Sequence, residues 1–204
     1  MMSRVIPRFP SSLRRLGRFL RQDGGLAAVE FSLILPILVI LWLAGVEVTQ
    51  GLSVDRRLNN LGSSVGDLVA RSKTVTYGDV DTIFDVAPGA MYPFCKTAAA
   101  CTSAGLQMRV SEVSIDGSQN AKITWSRARG TTAYADNYSV TSIVPLTLRV
   151  ANTKIIMSQA YFTYRPAVGY IFGSYNLTDL QFFVPRLADT VKLCPDTSGT
   201  GCKS

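Results

Sequence analysis

The sequence predicts an α+β protein in which a long N-terminal transmembrane helix continues into an amphipathic helix packed on an antiparallel β-sheet. Three observations predict it. Leu26 to Val46 is an apolar run of 21 residues with one formal charge, Glu30. Beyond the run, apolar residues recur at helical spacing to about Arg71. From Gln107 onward the period falls to two, the spacing of strands with one face buried.

The first 25 residues are a basic leader. The chain of 204 residues has a net charge of +7, and Arg4, Arg8, Arg14, Arg15, Arg18 and Arg21 against Asp23 place +5 of it before residue 26. The basicity is therefore a topology signal, and no nucleic-acid partner is expected. Arginines next to an apolar span hold a short tail in the cytoplasm. A patch of Leu13, Leu16, Phe19 and Leu20 among these arginines suits an amphipathic helix on anionic lipid. A helix over 26–46 rises ~30 Å, the thickness of a bilayer core. The apolar region of a secretory signal is only ~7–15 residues, so this span is expected to stay attached. Pro36 removes a backbone donor and predicts a kink or a loosened turn. The expected division is a leader at 1–25, a membrane helix at 26–46 and an exported domain at 47–204.

In the domain, Val54, Leu58, Leu61, Val65 and Leu68 step by four and three, giving one apolar seam down a helix. The seam suits packing on the domain's own sheet, with a coiled-coil contact as the alternative. Thr76 to Ala87 predicts a turn and a short helix with Val80, Ile83, Phe84 and Val86 on one face. Its Asp79, Asp81 and Asp85 fall on the wet face, and their spacing argues against a cation site. Pro88 to Ala104 reads as a loop. Met108 and Val110 are out of phase with Val113 and Ile115, which predicts a bulge. Asp116-Gly117 supplies a turn before Ala121, Ile123 and Trp125, so a hairpin is expected there. Residues 128–139 read as a loop, and Pro145 leaves Ser142 to Val150 ambiguous. Lys154 to Tyr164, Tyr175 to Val184 and Leu187 to Leu193 complete the strands.

Four cysteines, Cys95, Cys101, Cys194 and Cys202, all follow the span, at separations of six and eight. These spacings do not match zinc motifs, and the absence of histidine removes the commonest partner ligand. Two short-range disulfides are expected, with the two crossed connectivities as alternatives. Without histidine, Ser-His and Cys-His nucleophilic sites cannot be built, and no phosphate-binding glycine loop is present. Neither catalytic residues nor a metal or cofactor are expected.

Glu30 is the anomaly of the span. A charged side chain at mid-membrane costs ~2.5–3.5 kcal/mol and is usually kept for a function. Its place one turn inside the run lets snorkelling relieve part of that cost. If the chain is cut after Gly25, Glu30 becomes residue five and Phe31 residue six. Gly25, four small or apolar residues, Glu30, Phe31 and an apolar helix resemble the processing signature of type IV prepilins. With early Pro36 they are most similar to the TadE/TadG-like minor pilins, or pseudopilins, of the tight-adherence (Tad/Flp) type IVb pilus. The likeness extends more weakly into the domain, at Trp125-Ser126, at Phe162-Thr163-Tyr164-Arg165-Pro166 and at Pro185-Arg186. Phe162 stands where a Tyr, and Gln159 where an acidic residue, often occurs in that family.

The resemblance implies a pilin-like fold and a single-pass protein of the inner membrane, with its domain in the periplasm. It also implies cleavage by a prepilin peptidase between Gly25 and Leu26, and partnership with other pilins and pilus-assembly proteins in building an adhesion pilus. Physical logic agrees: cleavage gives Leu26 an α-ammonium, and Glu30 can neutralise that charge on a neighbouring subunit. An uncleaved, membrane-anchored periplasmic scaffolding or binding protein is the alternative, followed by a membrane-tethered envelope enzyme.

Overall fold

Helix α1 runs from Gly24 to Ala70 with Pro36 inside it. The structure, a computed structural model, describes residues 24–166 and 173–204. The basic leader and its amphipathic patch lie outside the described residues. The chain forms two compact units, residues 1–48 and 49–204.

In the first unit the helix is apolar on every side. Leu33, Ile37, Leu41 and Trp42 are all more than half exposed among the described residues. Ser32 Oγ donates to the Val29 carbonyl at 2.8 Å, which satisfies the hydroxyl within the helix itself.

The second unit holds the rest of α1 and every other element. In chain order these are β1 (Thr74–Thr76), α2 (Tyr77–Val86), a 3-10 turn (Ala87–Met91), α3 (Ala98–Ser103), β2 (Gln107–Ile115) and β3 (Ala121–Arg129). A second 3-10 turn (Leu146–Leu148), β4 (Lys154–Tyr164), β5 (Tyr175–Phe183) and β6 (Lys192–Cys194) follow. The main sheet is antiparallel, in the order β3-β2-β4-β5, and β1 pairs in parallel with β6. One core lies between the sheet and the helices, around Val54, Leu58, Leu61, Val65, Phe84 and Trp125. A smaller core on the other sheet face joins Val113, Ile115, Ile123 and Met157 to Val140 and Val144 of the loop after β3. Because β4 is central and covered on both faces, Ile155 to Ala160 are buried without alternation.

Several expectations need correction. Leu68 is 52% exposed and Val69 takes its place in the seam, because from Val65 a step of four stays nearer the buried face than a step of three. Val86 also points outward. The segment expected as a loop at 88–104 contains part of a 3-10 turn and all of α3, whose N-cap Thr97 accepts from the Ala100 amide at 3.2 Å. β3 runs on to Arg129, and the strand expected over Leu187 to Leu193 shrinks to Lys192–Cys194.

A bulge is present, but on β3. Glu112 pairs with Trp125 and Val113 with Ile123, so Thr124 is the extra residue. The extra residue turns Trp125 to the helix side while Ala121 and Ile123 face the smaller core. The apparent slip in β2 is ordinary alternation between two buried faces.

The resembling motifs of the domain are fastenings. Trp125 Nε1 donates to the Val191 carbonyl at 2.7 Å, and Ser126 Oγ accepts from Ser111 Oγ at 2.8 Å. Gln159 Oε1 accepts from Arg109 Nη1 at 3.0 Å, so an amide oxygen serves as the acceptor there. The Arg186 amide donates to the Ala70 carbonyl at 2.9 Å, and its guanidinium pairs with Asp67 at 2.8 Å, which closes the C-terminus of α1. Fully buried Glu112 accepts from Thr190 Oγ1 at 2.7 Å and from the Val191 amide at 2.8 Å, holding the C-terminal arm to the sheet.

Helix and sheet meet most closely at glycines. A Cβ on Gly62 would overlap the Asp179 carboxylate, and one on Gly66 would overlap the Phe183 ring. Ser158 Oγ donates to the Gly62 carbonyl at 2.8 Å in the same place. Gly66→Leu is therefore expected to destabilise the fold by about 1–3 kcal/mol through overpacking. Urea unfolding of the detergent-solubilised chain, followed by Trp125 fluorescence, measures the loss.

Burial pushes the Asp179 carboxyl up from its ordinary value, and the Asp55 charge adds to this. The Gln181 side chain, donating to Oδ1 at 2.9 Å, and the Leu180 amide work the other way. A folded-state value raised above the unfolded one means that the folded chain keeps this proton longer. The associated stability is full below the ordinary aspartate range and is lost as pH rises through the raised value. Asp179→Asn should remove that slope and raise the unfolding midpoint at neutral pH but not in acid, read from melts across pH.

Candidate functional site

Gly25, Leu26, Glu30 and Phe31 all lie in helical backbone near the described start of α1. Leu26 and Glu30 are four residues apart along the helix, about one turn, with ~6 Å of rise between them. Glu30 is exposed and Phe31 is 58% exposed. From Ala27 onward α1 is long and apolar enough to cross a membrane. The arrangement sets one carboxylate near the N-terminal end of an apolar helix whose described side chains are exposed. Chemically it can accept one cation or one proton there, and it holds no second acid within the span.

Several acids of the second unit are engaged in holding the fold. Asp79 and Thr76 form a capping box at the start of α2, in which Asp79 Oδ2 accepts from the Thr76 amide at 2.8 Å. These bonds to Thr76 hold the Asp79 carboxyl below its usual value. Asp81 accepts from Arg127 Nη2 at 2.9 and 2.8 Å, and Asp85 pairs with Arg129. Two of the three carboxylates read as a wet face are thus the partners of β3 arginines. Among the described residues no group of three or more potential metal ligands comes together.

The cysteines bond locally, Cys95 to Cys101 and Cys194 to Cys202. The first bridge joins the segment before α3 to α3 itself. The second ties the end of β6 to the C-terminal residues, where the Lys203 amide and carbonyl pair with Leu193 at 2.8 and 2.9 Å.

One cluster was not singled out from the sequence as a site. The rings of Phe94, Tyr164 and Tyr175 gather with centroids 6.0 and 5.3 Å apart, and Tyr164 Oη donates to Gln50 Oε1 at 3.3 Å. Tyr164 and Tyr175 are paired across β4 and β5, and Phe94 comes from the segment before α3. The available signal is the Phe162-Thr163-Tyr164-Arg165-Pro166 stretch that carries part of the family resemblance.

Comparison with known proteins bears on most of helix α1. Residues 25–64 match the family model of TadE-like proteins. The match begins at Gly25, includes Glu30, Phe31 and the apolar run, and stops before the sheet. It is consistent with a TadE-like protein of the Tad pilus system and points to an association with that pilus. No curated protein and no solved structure matches the chain. The TadE-like segment therefore carries the family evidence, while the sheet is described from its own geometry.

Closing a loop of eight or nine residues is expected to stabilise by about 2–3 kcal/mol. Replacing Cys194 and Cys202 together by Ser should lower the unfolding free energy by that amount. Peptide mapping without reductant should find each bridge within its own loop.

Proposed function

We propose that this chain is a minor pilin or pseudopilin-type assembly protein, inserted in the inner membrane with its leader in the cytoplasm and its sheet domain in the periplasm. The reading is carried by the TadE-like match that opens at Gly25, followed by an apolar run, 26–46, whose single acid stands fifth after that glycine. The basic leader supports the orientation.

In this reading a prepilin peptidase hydrolyses the Gly25–Leu26 bond. Water adds across it, leaving a carboxylate on Gly25 and an α-ammonium on Leu26. A helical bond must unwind before a protease can hold it. Gly24 and Gly25 are the residues for that, since each costs a helix ~1 kcal/mol relative to Ala. A glycine also lets catalytic groups approach the backbone closely. Glu30 then pairs with the Leu26 ammonium of a neighbouring pilin as the helices bundle. Two unit charges 4 Å apart are worth ~4 kcal/mol at an effective dielectric constant of 20. That is the size of the ~2.5–3.5 kcal/mol needed to place an acid in the membrane, so the partner ammonium turns a cost into a latch. The protein acts as a structural component in biogenesis of an adhesion pilus, without catalysis of its own.

Gly25→Arg should leave a full-length species, while the wild-type chain extracted from membranes begins at Leu26 on N-terminal sequencing. Glu30→Ala should be cut normally and fail to co-purify with the pilus apparatus. A wild-type chain that retains the leader in pilus-producing cells favours the uncleaved anchored scaffold instead.

A further inference from the structure

Among the described residues of the second unit, helices α1 and α2 leave an open groove between them. On α1, Arg57, Leu61, Ser64 and Leu68 step by four, three and four, so they form one stripe down the helix. Leu61, Ser64 and Leu68 make one wall, and Thr82 and Val86 of α2 with Ala90 of the following 3-10 turn make the other. The space is about 380 Å³. From Leu61 to Leu68 the helix rises ~10 Å, so the groove is ~6 Å across, well short of the ~10–12 Å of a helix with its side chains. It admits one extended chain and no helix.

Its walls are apolar and offer no hydrogen bonds. Leu68 and Val86 are exposed. The two hydroxyls turn back to their own helices: Ser64 Oγ donates to the Asn60 carbonyl at 2.7 Å, and Thr82 Oγ1 to the Gly78 carbonyl at 2.8 Å. Arg57 stands at the Ala90 end, where its Nη1 donates to the Ala90 carbonyl at 3.3 Å. The Arg57 side chain is partly buried, and its Nε is buried without a hydrogen-bond partner. Among the described residues no carboxylate forms an ion pair with it. A partly buried cation without a counter-charge is costly, and a carboxylate is the partner that its planar fork fits.

We propose that this groove binds a single-chain fatty acid, with its carboxylate on Arg57 and its acyl chain along Leu61, Leu68 and Val86. An aliphatic tail covers both walls and asks for no hydrogen bond, while the head supplies the missing acceptor. A diacyl phospholipid brings two tails, which a channel of this width does not hold. Every residue of the groove lies in the second unit, so the site depends neither on the span nor on the pilus reading.

The full chain in dodecyl maltoside micelles is mixed with dodecanoate, released from detergent by native mass spectrometry, and its adducts counted. One dodecanoate should stay on the wild-type chain. Arg57→Gln and Leu68→Asp should each weaken uptake by about tenfold or more, the worth of one charge-assisted hydrogen bond or of a few buried methylenes. Leu68→Asp changes an exposed position, so it tests the groove even where Arg57→Gln disturbs folding. Neither dodecyltrimethylammonium nor dioleoyl phosphatidylglycerol should displace the adduct. If the wild type takes up no dodecanoate, or if wild type and Leu68→Asp take it up alike, as a fatty acid lying against the apolar run would behave, the site is overturned. Displacement by the cationic detergent or by phosphatidylglycerol overturns the ligand class.

Discussion

The second unit depends on the close approach of helix α1 to the sheet, which glycine alone permits at Gly51, Gly62 and Gly66. Each of these positions faces a bulky or polar side chain of β5: Tyr175, Asp179 or Phe183. Those residues share one strand face because they differ by even numbers. A helix with ordinary side chains there would stand farther off, and the Ser158 hydroxyl would lose the Gly62 carbonyl. The seam of Val54, Leu58, Leu61, Val65 and Val69 then fills the space the glycines leave beside them. The placement of a buried carboxylate, Asp179, against that backbone shows how little room remains.

The same geometry explains what was legible in the sequence. Helix α1, the hairpin of β2 and β3, β4 and β5 follow from local periodicity, which a strong apolar pattern states without reference to the rest of the chain. Faces were harder. Thr124 inverts the inside and outside of β3, and no residue type at 124 announces it. Asp81 and Asp85 look like a solvated edge until β3 brings Arg127 and Arg129 against them. The 3-10 turn and α3 inside the first cysteine segment depend on small residues and one threonine cap, a weak signal beside proline and cysteine. β6 exists because β1 is there to receive it, and neither three-residue strand carries a pattern of its own.

The functional region divides along similar lines. Gly25, Leu26, Glu30 and Phe31 are consecutive or nearly so, and their meaning comes from type and spacing, so the sequence alone displays the whole arrangement. The aromatic cluster is assembled from residues 94, 164 and 175, and only the pairing of β4 with β5 brings the last two together. Constellations made by topology stay hidden until the topology is known. The second unit reads chiefly as a scaffold, in which buried Glu112 and the Arg186 cap fix the C-terminal arm.

The parallel pairing of β1 with β6 joins Thr74–Thr76 to Lys192–Cys194, more than a hundred residues later. Contacts of such separation form late, because the loop they close must first be ordered. A ribosome therefore finishes the apolar helix long before the partner of β1 has emerged, and the C-terminus of α1 waits for Arg186 in the same way. Until residues 186–194 arrive, the seam of α1 has neither its cap nor its last strand. Premature termination anywhere in the sheet would strand a greasy, half-covered rod.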